Sequence, residues 1–174
     1  MLGLVLSENL ITLFLFWELT SISSFFLIGF NNEDPKSRKS ALIALSVTGF
    51  GGLCLLAAAL IVFEITGSYS IPELLQSSTL VQNHGFYIAL VSLVFGAAFT
   101  KSAQFPFHFW LPGAMKAPTP VSTYLHSATM VKAGIYLLFR LSPAFSGSDF
   151  WHNSLWIVGG VTMIYAAFQT LFRD

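Results

Sequence analysis

Charged residues are scarce in this sequence. They make up 9% of its 174 residues, whereas a soluble globular domain carries roughly 25%. Hydrophobic residues make up 55%. A water-soluble domain of this length cannot bury so much apolar surface in one core. The composition therefore predicts an integral membrane protein with the lipid bilayer as its surroundings.

The missing residue types and motifs exclude several kinds of function. Eight acidic residues balance eight basic ones, so no basic face is available for nucleic acid. The single cysteine, Cys54, excludes a disulfide or a CxxC metal site formed by this chain alone. Glycine-rich phosphate loops and the HExxH, GxSxG and CxxCH motifs are also missing. We therefore predict no cofactor, no metal and no enzyme that works by these routes.

Five apolar stretches follow one another along the chain. Each is long enough for the roughly 20 residues that a membrane-spanning helix requires. The predicted fold class is therefore all-α and integral to the membrane, with a single transmembrane domain over residues 1–174. The polar dipeptide Arg173-Asp174, directly after the last stretch, indicates a fragment of a longer chain. The five helices are expected at about 8–30, 40–63, 86–112, 119–139 and 150–172.

The connections between these stretches predict their orientation. The connection 31–39 carries three basic residues, whereas 66–85 contains no Lys or Arg. Basic connections are retained in the cytoplasm, so 31–39 is predicted to be cytoplasmic and 66–85 to be outside. Arg140 is the exception, since this arrangement places it near the outer end of the fourth helix.

The first and third apolar stretches each carry a charged residue deep inside, where it costs roughly 2.5–3.5 kcal/mol to insert. Glu18 is midway along the first stretch, and Lys101 is about two thirds of the way through the third. One alternative is structural: a protonated Glu18 bonded to a neighbouring hydroxyl, and a Lys101 that snorkels to the surface. The other alternative is a buried relay for protons or ions.

Pro106 predicts a break in the third helix. A proline at this position cannot donate to the carbonyl of Ser102, and its ring crowds that carbonyl. Backbone acceptors are then freed beside the buried Lys101, and broken helices at mid-membrane depth often mark ion sites. We therefore expect the third helix to be broken near Lys101–Pro106.

The fourth stretch adds two candidates, His126 and Lys132. Their spacing sets them about 120° apart around a helix, and Thr129 lies between them, where it can bridge them. Histidine suits reversible protonation near neutral pH, although a lone histidine is more often structural. His108, seven residues after Lys101, is a further candidate, with an interfacial aromatic belt as its alternative role.

Three motifs in this order resemble one known family, the proton-translocating antiporter-like membrane subunits. The family includes large membrane subunits of respiratory complex I and of Mrp-type Na⁺/H⁺ antiporters. The resemblance covers essentially the whole chain and is strongest to the A subunit of the Mrp type, because of the first motif and of MVKAG at 130–134. The motifs are FWELTSISS at 16–24, KSAQFPFHFWLP at 101–112 and APTPVSTYLHSATMVKAG at 117–134.

The resemblance implies a role for each candidate residue. Glu18 is similar to the membrane glutamate that pairs with the broken-helix lysine, and Lys101 is similar to that lysine. His126 resembles the histidine that passes protons along the central polar axis. Lys132 and His108 are implied to line the same route.

The resemblance also implies an architecture and partners. Members are built from inverted helical repeats, so this chain is expected to supply part of an inverted-repeat bundle. The implied partners are other hydrophobic subunits of a multisubunit membrane complex, the bilayer, Na⁺ and H⁺. The implied location is the plasma membrane, the inner membrane of a bacterium. Gly113 and Lys116 depart from the family pattern of Asp and of an acidic or small residue, which puts local ion pairing in doubt there.

Three hypotheses of function follow. The first is a cation/proton antiporter subunit, a transporter and no enzyme, in which Lys101 alternates between an ion pair with Glu18 and a state that passes its proton toward His126. The alternative is a proton-pumping membrane subunit of an NADH–quinone oxidoreductase, which belongs to an enzyme complex. The third is a purely structural helical scaffold.

Overall fold

The computed structural model of this protein describes residues 1–31, 33–115, 123 and 129–171. These residues are almost entirely helical and form no β-strand apart from one isolated bridge between Asn9 and Ser70. The prediction of an all-α fold is therefore confirmed. The helices are α1 (Leu2–Val5), α2 (Leu10–Ile28), α3 (Pro35–Thr66), α4 (Ile71–Gln76), α5 (Ser78–Gln82), α6 (Tyr87–Lys101), a 3₁₀ helix (Phe107–Trp110), α7 (Leu111–Ala114), α8 (Met130–Phe145) and α9 (Asp149–Leu171).

Three of the described helices, α2, α3 and α9, are long and apolar enough to cross a membrane. The shorter apolar helix α6 has 15 residues, or roughly 22 Å. That length is below the ~30 Å thickness of the hydrocarbon core, so α6 alone is too short to cross it. Helices α2, α3 and α9 overlap the first, second and fifth apolar stretches, and α6 lies in the first part of the third. Part of the fourth stretch lies outside the described residues.

Helix α3 is longer than its apolar stretch because its ends carry strong local signals. Pro35 stands at the first helical position, and the side chain of Asp34 accepts a hydrogen bond from the backbone N–H of Lys36 at 3.0 Å. Both features favour a helix start. Gly67 closes the other end with a φ of 74°, a left-handed conformation that glycine adopts at no steric cost.

Adjacent glycines place the centre of α3 against both α2 and α6. A Cβ atom on Gly51 would overlap the side chain of Thr100 on α6, and one on Gly52 would overlap the carboxyl of Glu18 on α2. Membrane helices approach closely where small residues face each other. The two glycines therefore set the spacing of α2, α3 and α6 at the depth of the ionisable residues.

Two apolar clusters form the core of the described residues. The larger includes Trp17, Leu55 and Phe99, and the smaller includes Ala103 and Trp110. The chain passes from one cluster to the other between Phe99 and Ala103. The segment that joins the two clusters therefore contains Lys101.

Helix α9 has few buried residues. Its one fully buried side chain in the described part is Trp151, whose ring centroid lies 4.9 Å from that of Phe95 and 5.4 Å from that of Phe145. Large side chains such as Trp156 and Phe168 are exposed. The rest of α9 therefore presents an apolar surface suited to lipid or to another membrane helix.

Candidate ion-relay site

Lys101, the last residue of α6, reaches into the protein rather than toward the membrane surface. Its side chain is 0% exposed. The Nζ atom donates to the carbonyl oxygen of Trp17 at 3.0 Å and to Oγ of Ser21 at 2.6 Å, both on α2. It also lies 5.1 Å from the centroid of the Trp17 ring. A carbonyl, a hydroxyl and an aromatic face thus replace water around the ammonium.

The carbonyl oxygen of Trp17 is an unusually crowded acceptor. Besides Lys101 Nζ, it accepts hydrogen bonds from the hydroxyls of Thr20 at 2.7 Å and Ser21 at 3.3 Å. Hydrogen bonds that share one acceptor polarise it, and low dielectric strengthens their electrostatic part. The backbone of α2 therefore provides a partial negative charge for the ammonium.

Glu18 lies next to this contact, with its carboxyl against the backbone of α3 at Gly52. Its Oε1 atom is buried, and no described residue forms a hydrogen bond with it. The carboxyl and the Lys101 ammonium interact electrostatically, yet the ammonium donates to Trp17 and Ser21 instead. A buried acceptor without a partner is costly, so this oxygen is ready to take a proton or the ammonium.

The backbone is broken where the proline predicts it. Helix α6 ends at Lys101, and the next helical turn begins at Phe107. The indole N–H of Trp110 donates to the freed carbonyl of Thr100 at 3.0 Å. Ala103 turns the chain with a φ of 50°, a left-handed conformation that is uncommon outside glycine. The break is therefore a built feature whose backbone groups find partners within the protein.

Helix α9 braces the far side of the break. The backbone N–H of Phe105 donates to Oγ1 of Thr162 at 3.1 Å, and Thr162 in turn donates to the carbonyl of Val158 at 2.7 Å. The Tyr165 ring packs 5.4 Å from Phe105 and 4.5 Å from His108, measured between centroids. Thr162 and Tyr165 are three residues apart and so share one helix face. A helix that is otherwise little buried thus contacts the break directly.

Replacement of Thr162 by valine is expected to loosen the break. Valine keeps the shape of threonine but cannot accept the Phe105 N–H, and losing such a bond costs about 1–3 kcal/mol. Hydrogen–deuterium exchange of the peptide that contains Phe105 should therefore become faster. The matched control is Thr170→Val on the same helix, because within the described residues the Thr170 hydroxyl donates only to the carbonyl of Ala167 on its own helix. Unchanged exchange at Phe105 in the Thr162→Val protein would contradict this bracing role.

His108 joins the aromatic contacts of the break rather than the Lys101 contact. Its ring stacks on Phe105 with the centroids 5.8 Å apart, and its Nδ1 atom is buried without a hydrogen-bond partner among the described residues. A histidine ring nitrogen donates or accepts a hydrogen bond according to the tautomer. A relay role for His108 therefore stays a prediction, and this geometry allows it.

Of the two candidates in the fourth stretch, the structure describes only Lys132. His126 lies outside the described residues. Lys132 lies on α8 with an exposed side chain, and in the described part of the chain it has no hydrogen bond or ion pair. The start of α8 is nevertheless tied to the break, since Ser102 Oγ donates to the carbonyl of Val131 at 2.8 Å.

The polar groups of the site are gathered around Lys101. Within the described residues, no group of three His, Cys, Asp or Glu side chains converges as metal ligands do. What converges instead is a buried ammonium, a buried carboxyl oxygen and a set of hydroxyls. Such groups can store and exchange a proton without covalent chemistry.

Comparisons with known proteins find a matching family and related sequences. A family model described as "NADH:quinone oxidoreductase/Mrp antiporter, TM" matches residues 7–174. The chain is 50% identical over 171 residues to the A subunit of a Na⁺/H⁺ antiporter of Bacillus subtilis. That alignment covers 98% of this chain and 21% of the Bacillus protein. It is also 50% identical over 174 residues to the A/B subunit of a probable K⁺/H⁺ antiporter of Rhizobium meliloti. That alignment covers 100% of this chain and 17% of the Rhizobium protein.

A solved structure of the Mrp complex from Dietzia sp. contains a chain of the same fold. The TM-score is 0.91 at 44% sequence identity, over 99% of this chain and 19% of that chain. The present chain thus spans a fifth or less of the length of that chain, and 17% and 21% of the two antiporter subunits. It corresponds to one part of a much longer subunit.

Proposed function

Because the chain belongs to the NADH:quinone oxidoreductase/Mrp antiporter transmembrane family, we propose that it forms part of a subunit that exchanges Na⁺ or K⁺ for protons across a bacterial plasma membrane. The observation that supports this most is the fully buried Lys101 ammonium, which sits on α2 beside Glu18 at the end of a broken helix. The subunit works as a transporter and not as an enzyme, with other membrane subunits as its partners.

Two positions of the Lys101 ammonium explain how a proton is held and released. In the structure, the ammonium is bonded to Trp17 and Ser21. In the second position it moves onto the unpartnered carboxyl of Glu18. A charge pair at 4 Å is worth about 4 kcal/mol at an effective dielectric constant of about 20. Making and breaking this pair therefore changes how tightly Lys101 holds its proton, and a bound cation that competes for Glu18 drives the release.

The second candidate function is proton pumping within an NADH:quinone oxidoreductase. The matching family model names this branch together with the antiporters. The same buried Lys101 and Glu18 serve in both, since a pump also needs a proton carrier at mid-membrane depth. The two functions differ in what drives them, which is a gradient of cations in one case and oxidation of NADH in the other.

Everted membrane vesicles distinguish the two functions. The complete complex is expressed in a host without its own Na⁺/H⁺ and K⁺/H⁺ antiporters, and a pH gradient is imposed by ammonium dilution so that no electron donor is present. Added NaCl or KCl is expected to dissipate the gradient, whereas choline chloride is not. NADH-driven acidification of the vesicles without any response to Na⁺ or K⁺ would instead establish the pump and refute the antiporter.

A further inference from the structure

A groove with apolar walls lies between the end of α2 and the start of α3. Its volume is about 470 Å³, within the roughly 300–1,000 Å³ of typical ligand-binding cavities. Phe26 and Phe30 form one wall and Leu42 lies in the other, and all three side chains are exposed. Large apolar side chains gathered in one open groove indicate a place where an apolar molecule binds.

The two helices are tied together at this groove. The buried hydroxyl of Ser37, near the start of α3, donates to the carbonyl of Ile28, the last residue of α2, at 2.9 Å. Gly29 and Ala41 are small residues that also line the groove. A Cβ atom on Gly29 would lie 3.4 Å from that of Ala41, so the chain after α2 passes close to α3. The groove is therefore bounded by segments that contact each other directly.

Arg38 is the charged residue among the described residues that line the groove. It lies one turn before Leu42, about 6 Å nearer to the start of α3. Its side chain is exposed and forms no hydrogen bond or ion pair with any described residue. Two acidic residues lie nearby, but neither lines the groove: Asp34 accepts from the backbone N–H of Lys36 at 3.0 Å, and Glu33 is exposed. The Arg38 guanidinium is therefore available to an anion.

The position of Arg38 matches the depth of a lipid phosphate. The apolar stretch of α3 begins at about residue 40, so Arg38 lies where headgroups meet hydrocarbon. Lys36 and Lys39 are exposed beside it, on the connection that is predicted to be cytoplasmic. Anionic lipids of the cytoplasmic leaflet attract basic residues close to the membrane. A guanidinium binds a phosphate through two parallel hydrogen bonds.

We propose that this groove binds one anionic phospholipid, with its phosphate on Arg38 and one acyl chain between Phe26 and Leu42. The occupant has to combine an anion at the headgroup depth with a long apolar part that continues into the membrane, and a phospholipid has both. Lys36 and Lys39 favour a headgroup with a net negative charge over a zwitterionic one. This inference does not depend on the proposed function, because it concerns a lipid contact away from Lys101.

Photocrosslinking from within the groove tests the proposal. The complete complex carries p-benzoylphenylalanine in place of Phe26, and in a second preparation in place of Phe50. Both are exposed phenylalanines on the two helices of the groove, but only Phe26 lines it. Each preparation is placed in bilayers of equal amounts of phosphatidylglycerol and phosphatidylcholine, with one of the two lipids radiolabelled at a time. After illumination, the label that is bound covalently to the subunit is measured.

At position 26, phosphatidylglycerol is expected to label the subunit about fivefold more than phosphatidylcholine. This preference corresponds to about 1 kcal/mol, the attraction of one basic residue to an anionic membrane surface. At position 50, the two lipids are expected to label equally. Arg38→Gln should abolish the preference at position 26, whereas Lys39→Gln should keep it. Lys39→Gln is the matched control, because it removes the same charge from the same helical turn but does not line the groove.

Three results would overturn the proposal. Equal labelling by both lipids at position 26 would mean that the groove holds ordinary bulk lipid. A crosslink from position 26 to another protein segment, without lipid, would identify the groove as a protein interface. An equal loss of preference in Arg38→Gln and Lys39→Gln would assign the effect to the charge of the connection rather than to the groove. The comparison of the two lipids at position 26 decides the first point even if the Arg38→Gln complex does not assemble.

Discussion

Replacement of Lys101 by alanine is expected to abolish cation-dependent proton exchange. Nζ of Lys101 is the buried charged donor that contacts α2, and its removal leaves a carbonyl and a hydroxyl that cannot store a proton near neutral pH. We expect exchange to fall about a hundredfold or more, which corresponds to about 2.7 kcal/mol in the barrier. The measurement is dissipation of an imposed pH gradient by Na⁺ or K⁺ in everted vesicles.

Two further variants distinguish the loss of a proton carrier from a failure of the protein to fold. Lys101→Met keeps a long apolar side chain in the buried space, so the complex should assemble normally and still lose exchange. Lys101→Arg keeps the positive charge and the donors but cannot release a proton in a protein, so its exchange should be lost as well. Full exchange in the Lys101→Met complex would show that this lysine carries no proton.

Replacement of Gly52 by alanine is expected to disable the site although no ionisable residue is substituted. The added Cβ would overlap Oε1 of Glu18, so the carboxyl has to leave its place against α3. Because a displaced carboxyl cannot receive the Lys101 ammonium, exchange should fall about tenfold or more, or about 1.4 kcal/mol in the barrier. Glu18→Gln should have a similar effect, and the double variant should be no worse than the more severe single one.

Gly49→Ala is the matched control for this substitution. Gly49 lies on the same helix, and a Cβ atom there would meet no described side chain or neighbouring element within 4 Å. Alanine favours a helix over glycine by about 1 kcal/mol, so this variant should keep full exchange and be at least as stable in thermal unfolding. If Gly52→Ala also kept full exchange, the position of the Glu18 carboxyl would be irrelevant to transport.

Local signals made much of the helical structure predictable. Hydropathy located α2 and α9, and Pro106 predicted the break because its ring and its missing N–H act on the adjacent turn regardless of the fold. The start of α3 was harder to place. Pro35 and Asp34 lie in a polar connection, and hydropathy detects only the part of a helix that lies in lipid.

The partners of Lys101 were not predictable in the same way. The resemblance implied an ion pair with Glu18, and that pair stays a prediction for a second position of the ammonium. The observed bonds go to a backbone carbonyl 84 residues away and to the neighbouring hydroxyl of Ser21. A carbonyl has no sequence signature, so only the packing of both α2 and α6 on α3 reveals it. Thr162 escaped notice for the same reason, since it is 57 residues from Phe105.

The early end of α6 has an electrical consequence. A full elementary charge that crosses the entire membrane gains or loses roughly 2.3 kcal/mol per 100 mV of potential. Because α6 stops at Lys101, a proton that this lysine carries in the proposed exchange has crossed only part of that voltage. The membrane potential therefore acts separately on arrival and on departure, and it favours one of these steps while opposing the other according to the side from which the proton comes. In the proposed exchange, a lysine at the end of a helix shorter than the bilayer thus makes each half of the cycle voltage-dependent, whatever the net charge moved by the complete cycle.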